Sequence, residues 1–132
     1  MKTKTLSARH RRGRKKLKSI HGQNGIDTID QVGRISPDIA RLVYEFAYGD
    51  IVSRPGLDAK ARQLATMAAL VAMGNARPQL KAHIHGSMNV GWTRKQIIEV
   101  IMQLIVYCGF PVALNALTAA DEVFRERKAQ RK

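Results

Sequence analysis

From Ser36 onward, apolar residues recur at three- and four-residue intervals between residues that start and stop helices. Ser36 followed by Pro37 is typical of an N-cap and a first helical position, so a helix is predicted from there to Gly49. Asp58 can cap a second helix, whose apolar positions continue until Gly74 ends it.

The same signals predict three more helices. Pro78 opens the third, which should end near Gly91. Thr93 and Gln96 have the spacing of a capping box at the start of the fourth, and Pro111 starts the fifth. No segment alternates apolar and polar residues as a strand would. The predicted class is therefore all-α, a compact bundle of five to six helices.

The fourth predicted helix is apolar on almost every side over Ile97–Val106, which predicts a central, buried helix. Its polar residues Glu99, Gln103 and Tyr107 follow one another at four-residue intervals and form one stripe. That stripe is either the solvent edge of the helix or a polar seam that faces a pocket or a subunit interface. Five short helices cannot cover all of the apolar stripes, so a homo-oligomer is expected.

The net charge of +13 is concentrated at the two ends of the chain. Residues 1–18 hold nine Lys or Arg and no acid, residues 125–132 hold five, and the remainder is neutral. Like charges repel, so residues 1–18 are predicted as a flexible basic tail and residues 19–128 as a single helical domain. Within that domain, residues 19–35 are predicted as an irregular arm. The tail could make weak contact with a polyanion, or it could serve solubility alone.

Several classes of protein are excluded by composition. The single cysteine, Cys108, allows no internal disulfide, no CxxC redox pair and no cysteine-based zinc cluster, and it is read as an inert core thiol. No apolar run of about 18 residues is present, and no signal-peptide pattern follows the basic start. We therefore expect a cytoplasmic protein without a membrane span.

Two histidines are candidates for chemistry. His83 and His85 are two residues apart, which places them on different sides of a helix, so no metal site is expected. His83 shares a mostly inward stripe with Leu80 and Ser87. It is either a structural imidazole or a desolvated group tuned for proton transfer near neutral pH.

Three segments in a fixed order provide a further indication. Upstream lies YGDIVSRPGLDAKARQLATMAAL, then LKAHIHGSMNVGWT with His83, and then IIEVIMQLIVYCGFPVALNAL. Together they resemble the carboxymuconolactone decarboxylase family, within the alkylhydroperoxidase D-like superfamily. The likeness is strong from Gly49 to Phe124.

The resemblance implies an all-α homo-oligomer, a trimer or hexamer, with His83 in a pocket at a subunit interface. It also implies a cofactor-free decarboxylase in the breakdown of aromatic compounds. Its substrate would be 4-carboxymuconolactone or a related small carboxylated lactone or cyclic acid. His83 would protonate the carbon that carbon dioxide leaves, and Arg62 and Arg54 would bind the retained carboxylate. Glu99 and Tyr107 would line the site, where either could orient the imidazole.

Some positions depart from the patterns of the superfamily. Gln63 stands where these decarboxylases usually have serine, Tyr48 where they have tryptophan, and His85 where arginine is common. The redox branch uses a CxxC pair and a glutamate, which would fall at Ala76, at Gln79 and at or beside Gln63. All three groups are missing.

Two alternatives to the decarboxylase follow from these observations. One is a non-catalytic oligomeric binding protein whose basic tail contacts a polyanion. The other is a peroxiredoxin-like antioxidant protein, which would lack the cysteine pair that its reaction needs.

Overall fold

The computed structural model describes residues 5–131, and every regular element in that range is a helix, as the all-α prediction requires. The helices belong to two compact units, one ending at Asp58 and the other beginning at Ala59. The predicted tail over residues 1–18 and single domain over 19–128 stay predictions. Residues 1–4 of that tail lie outside the described range.

The first unit starts with a long helix and a short one. α1 (Ala8–Ile35) begins after Ser7, whose side chain accepts a backbone hydrogen bond from the first turn. It kinks at Gly22, whose φ of +68° lies in the region that favours glycine. Ser36 then caps α2 (Pro37–Leu42), as predicted from the serine and proline.

α2 continues without a break into a π-helix, Val43–Val52. The helix predicted to end at Gly49 therefore extends three residues further. Gly49 serves close packing rather than termination, because a Cβ at this position would lie 2.7 Å from the carbonyl oxygen of Arg9.

Residues 8–18, which the charge pattern predicts as part of a flexible basic tail, are helical. Arg9 donates two hydrogen bonds to the Asp50 carboxylate, at 3.0 and 2.6 Å, and Arg14 donates to Asp30 at 3.3 Å. These acids lie 16 to 41 residues away in sequence, so the charge pattern of the first 18 residues could not reveal them.

Residues 19–35 are helical as well, in contrast to the predicted irregular arm. The buried side of α1 packs on the π-helix through Leu17, Ile26 and Tyr44. The Tyr44 hydroxyl donates a hydrogen bond to Asp30 at 2.8 Å. Burial, followed by this hydrogen bond, raises the pKa of Tyr44 to about 12, so the hydroxyl keeps its proton.

The second unit contains four helices. They are α3 (Ala59–Met73), α4 (Arg77–Asn89), α5 (Arg94–Cys108) and α6 (Phe110–Gln130). Gly74 follows α3 with φ +74°, as its predicted role as a stop requires. Both hydrogen bonds of the predicted capping box between Thr93 and Gln96 are present at the start of α5. None of the described helices is both long and apolar enough to cross a membrane.

α5 is not the fully buried helix that its composition predicted. Only Ile97 and Ile101 are buried on it, whereas Met102 and Val106 are 53% and 77% exposed. Within the unit α5 packs mainly against α6 and α3, which cover one side of it. The other side of α5 exposes Met102 and Val106 beside polar residues of the same helix.

The closest backbone approach in the first unit gives a test of this fold. Replacement of Gly13 by alanine should lower the free energy of unfolding by about 1–3 kcal/mol, because the new Cβ would overlap the Tyr44 carbonyl oxygen. Gly56→Ala is the matched control, since nothing lies within 4 Å of the Cβ position. Thermal melts of both variants measure the effect. Equal melting temperatures would contradict the close approach.

Candidate active site

His83 lies on α4 among residues that point into the second unit. Leu80, Ile84 and Ser87 are buried on the same helix, whereas His83 itself is half-buried. The Ser87 hydroxyl donates to the backbone carbonyl of His83 at 2.7 Å, which ties this turn of the helix together. Of the stripe predicted for His83, Leu80, Gly86 and Ser87 are buried, whereas Gln79 is exposed.

The imidazole of His83 is held by a glutamine from the neighbouring helix α3. Gln63 Oε1 lies 3.1 Å from His83 Nδ1, and Gln63 is only 2% exposed. An amide oxygen can only accept, so Nδ1 carries the proton that is donated. In the neutral ring, Nε2 is then the basic nitrogen.

Burial lowers the pKa of His83 below its ordinary value of 6.5. Gln63 carries no charge, so it fixes the orientation of the ring without stabilising the imidazolium form as a carboxylate would. Near neutral pH the imidazole is therefore mainly uncharged. Such a group can exchange a proton at Nε2 under mildly acidic conditions.

His85 belongs to a different side of α4. Its Nε2 lies 2.8 Å from Glu126 Oε2 on α6, and Lys81 contacts the same carboxylate at 2.6 Å. Arg77 pairs with Glu122 one turn away, also at 2.6 Å. These contacts connect α4 to α6. His85 therefore takes part in the packing of α4 on α6, whereas His83 contacts Gln63 on α3.

The two arginines predicted to bind a carboxylate lie in different units. Arg62 is half-buried and directly precedes Gln63 on α3. Arg54 is exposed and follows the π-helix, where its backbone N–H donates to Ile51. Arg62 thus shares a helix with the group that orients His83.

The polar stripe of α5 is the exposed edge of that helix in the single chain. Glu99 and Gln103 are exposed, and Tyr107 is 79% exposed. Over residues 5–131, neither Glu99 nor Tyr107 has a hydrogen bond to His83. Gln63 makes the contact that was expected of them.

Gln63 is the residue of this site that the sequence interpretation missed as a partner of His83. The resemblance marks this position only as that of the decarboxylase serine and of an absent glutamate. A signal was available, because Gln63 shares a four-residue spacing with the buried residues Met67 and Val71. A polar side chain on a buried apolar stripe needs a hydrogen-bonding partner.

Tyr48, which stands where these decarboxylases usually have tryptophan, lies in the first unit. The Tyr48 hydroxyl is 2.8 Å from His21 Nε2, and burial raises the pKa of Tyr48 to about 12. This tyrosine therefore keeps its proton. A tryptophan indole would present an N–H in place of the hydroxyl, which can both donate and accept.

The groups that thiol or metal chemistry would use are the single cysteine and clusters of His, Cys, Asp or Glu. Cys108 is half-buried at the end of α5 and is not in a disulfide. Within residues 5–131, no three His, Cys, Asp or Glu side chains are grouped so that they could hold a metal ion.

The all-α fold and the half-buried His83 agree with the protein family that the sequence matches. Residues 37–122 match the carboxymuconolactone decarboxylase family, and the chain belongs to this family. It is 29% identical over 119 residues to the 4-carboxymuconolactone decarboxylase of Acinetobacter baylyi, covering 89% of this chain and 88% of that protein.

Two further relatives cover less of the chain. One is a 15.0 kDa uncharacterized protein of Paracoccus denitrificans, 34% identical over 94 residues, or 70% of each chain. The other is a nitrosuccinic acid decarboxylase of Metarhizium robertsii, 33% identical over 85 residues. That match covers 64% of this chain and 59% of the relative.

A change at Gln63 tests the described contact without any substrate. Gln63→Glu should raise the pKa of His83, because a carboxylate beside Nδ1 favours the imidazolium form. The pKa is measured by NMR titration of the imidazole carbon-bound protons. Gln103→Glu adds the same charge on the exposed edge of α5 and should leave the pKa almost unchanged. An unmoved His83 pKa in Gln63→Glu would contradict the hydrogen bond.

Proposed function

We propose that this protein is a cofactor-free decarboxylase. Its proposed substrate is 4-carboxymuconolactone or a related small carboxylated lactone or cyclic acid. The observation that carries the proposal is the half-buried His83, held at Nδ1 by Gln63 at 3.1 Å. Membership of the family and the two relatives that are named as decarboxylases support the class of reaction.

The proposed reaction needs no electron acceptor beyond the substrate. The bond between the ring carbon and the departing carboxylate breaks, and its electron pair enters the unsaturated lactone system as carbon dioxide leaves. Protonated His83 then donates its Nε2 proton to the carbanion carbon. The neutral imidazole regains a proton from water, which completes the cycle.

The remaining roles follow from charge and position. Arg62 is the proposed partner of the carboxylate that the substrate retains, because a guanidinium binds a carboxylate through two parallel hydrogen bonds. The same role for Arg54, which lies in the first unit, stays a prediction of the resemblance. Arg62 is the stronger candidate, since it is half-buried and adjacent to Gln63. Gln63 is a positioning residue that keeps Nε2 available for the proton.

We also propose that the protein is a homo-oligomer, a trimer or hexamer. Each unit leaves an apolar stripe exposed at helical spacing. In the first unit the stripe consists of Ile35, Ile39, Leu42 and Phe46. In the second it consists of Met102, Val106, Phe110, Leu114 and Leu117. Glu99 and Tyr107 lie on α5, which also carries part of the second stripe. A neighbouring subunit packed on that stripe would place both side chains at the interface, where they would contribute to a substrate site.

Replacement of His83 tests the catalytic proposal. His83→Asn should lower kcat by roughly 10²–10⁴-fold, the usual contribution of general acid catalysis, and should change KM only a few-fold. Carbon dioxide release from 4-carboxymuconolactone, and from a panel of small carboxylated lactones, gives the rate. His85→Asn is the matched control and should cost much less, because His85 contacts Glu126 instead.

The pH dependence distinguishes an acid from a base. If imidazolium is the active form, kcat/KM falls as the pH rises through the lowered pKa of His83, that is, below 6.5. A rate that instead rises with pH through this range would assign His83 as a base. A well-folded His83→Asn protein with the wild-type rate would remove His83 from the reaction.

The oligomer is tested at its exposed stripes. Val106→Glu should reduce the assembly size in light scattering, because a buried carboxylate without a partner opposes association. Lys95→Glu on the exposed start of α5 is the control and should leave the size unchanged. A wild-type protein of 14.7 kDa in solution would contradict the proposal.

A further inference from the structure

Six of the eight Lys and Arg residues of α1 divide into two groups according to their contacts. Arg9, Arg12 and Arg14 bind groups of the first unit, mainly Asp50 and Asp30. Arg12 also donates to a carbonyl oxygen of the π-helix at 2.9 Å. The charge of these arginines is therefore largely compensated within the unit.

The second group is an outward face made of Arg11, Lys15 and Lys18, which we call the basic face of α1. The three are spaced at four and three residues and are all exposed. No acidic side chain among residues 5–131 forms an ion pair with them, although Arg11 donates to the carbonyl of Leu6. At about 1.5 Å per residue, the three cations span about 10 Å along one ordered helix.

We propose that the basic face of α1 binds the phosphate backbone of double-stranded DNA, independently of base sequence. Uncompensated cations on one helix face attract phosphate and release the counterions condensed on DNA. An ordered helix holds these charges in a fixed array, so binding does not require the folding of a disordered tail.

The surroundings of the basic face favour duplex DNA over two other polyanions. Residues 1–21 contain no Phe, Tyr or Trp on which the bases of a single strand could stack. Stable insertion into a membrane surface needs an apolar helix face, but Gly13, Leu17 and Ile20 on the opposite side of α1 are buried, so only the weaker attraction to anionic lipid is left there. The basic face therefore offers positive charge as its means of recognition, and this matches the regular phosphate backbone of a DNA duplex.

The experiment measures binding of the full chain to a fluorescent 24-base-pair DNA duplex of arbitrary sequence over a range of salt concentrations. Three phosphate contacts give a slope of log K against log salt of about −2.7, which is an affinity loss of roughly 40-fold between 50 and 200 mM salt. The triple variant Arg11→Gln, Lys15→Gln, Lys18→Gln should lose this part of the slope.

A second triple variant separates a local site from net charge. Lys95→Gln, Lys128→Gln and Arg131→Gln remove one arginine and two lysines that are likewise exposed. This control should keep the wild-type salt slope, and circular dichroism should show the same helix content in both variants. Equal losses in the two variants, or no loss in the α1 variant, would overturn the proposal.

Vesicles of mixed neutral and anionic phospholipid serve as the competing arm. The proposal expects the chain to prefer the duplex, with vesicle binding weak and unaffected by the loss of the basic face. Vesicle capture that depends on Arg11, Lys15 and Lys18, without duplex binding, would overturn it.

Discussion

One hydrogen bond between two polar side chains in the interior of the second unit determines the chemistry available there. Gln63 accepts from His83 Nδ1, and this choice of acceptor decides which ring nitrogen can exchange a proton. The bond depends on the packing of α3 against α4, because each helix supplies one partner. The apolar core around it, with Met67 and Ile84 fully buried, makes the charged imidazole costly and the neutral one favoured.

The first unit uses ion pairs between partly exposed side chains, whereas the second unit has a buried neutral amide at Gln63. Residues 8–18 contain no acid, and Arg9 and Arg14 in this segment pair with Asp50 and Asp30 through partly exposed side chains. The glycine contact at Gly13 brings α1 close enough to the π-helix for these pairs to form. Charges that face outward receive no such compensation, and they set the electrostatic character of the unit's surface.

Local signals predicted most helix ends, and long-range contacts account for what they missed. Ser36, Gly74 and the Thr93 capping box act within a few residues, so the sequence shows them directly. The ion pairs of residues 8–18 involve acids far along the chain, and the exposed side of α5 depends on which helices pack beside it. His83 was identified as a candidate from its motif and its stripe. Its partner Gln63 required the three-dimensional packing of two helices.

The neutral partner of His83 has a consequence for proton transfer to carbon. A buried imidazole with a lowered pKa is a stronger acid when it is charged, so it gives up its proton more readily to a carbanion. The same shift reduces the fraction of the ring that is charged at neutral pH. A carboxylate at position 63 would reverse both effects, raising the charged fraction while weakening the acid. In the proposed decarboxylation, Gln63 would therefore favour proton donation over stabilisation of a lasting positive charge.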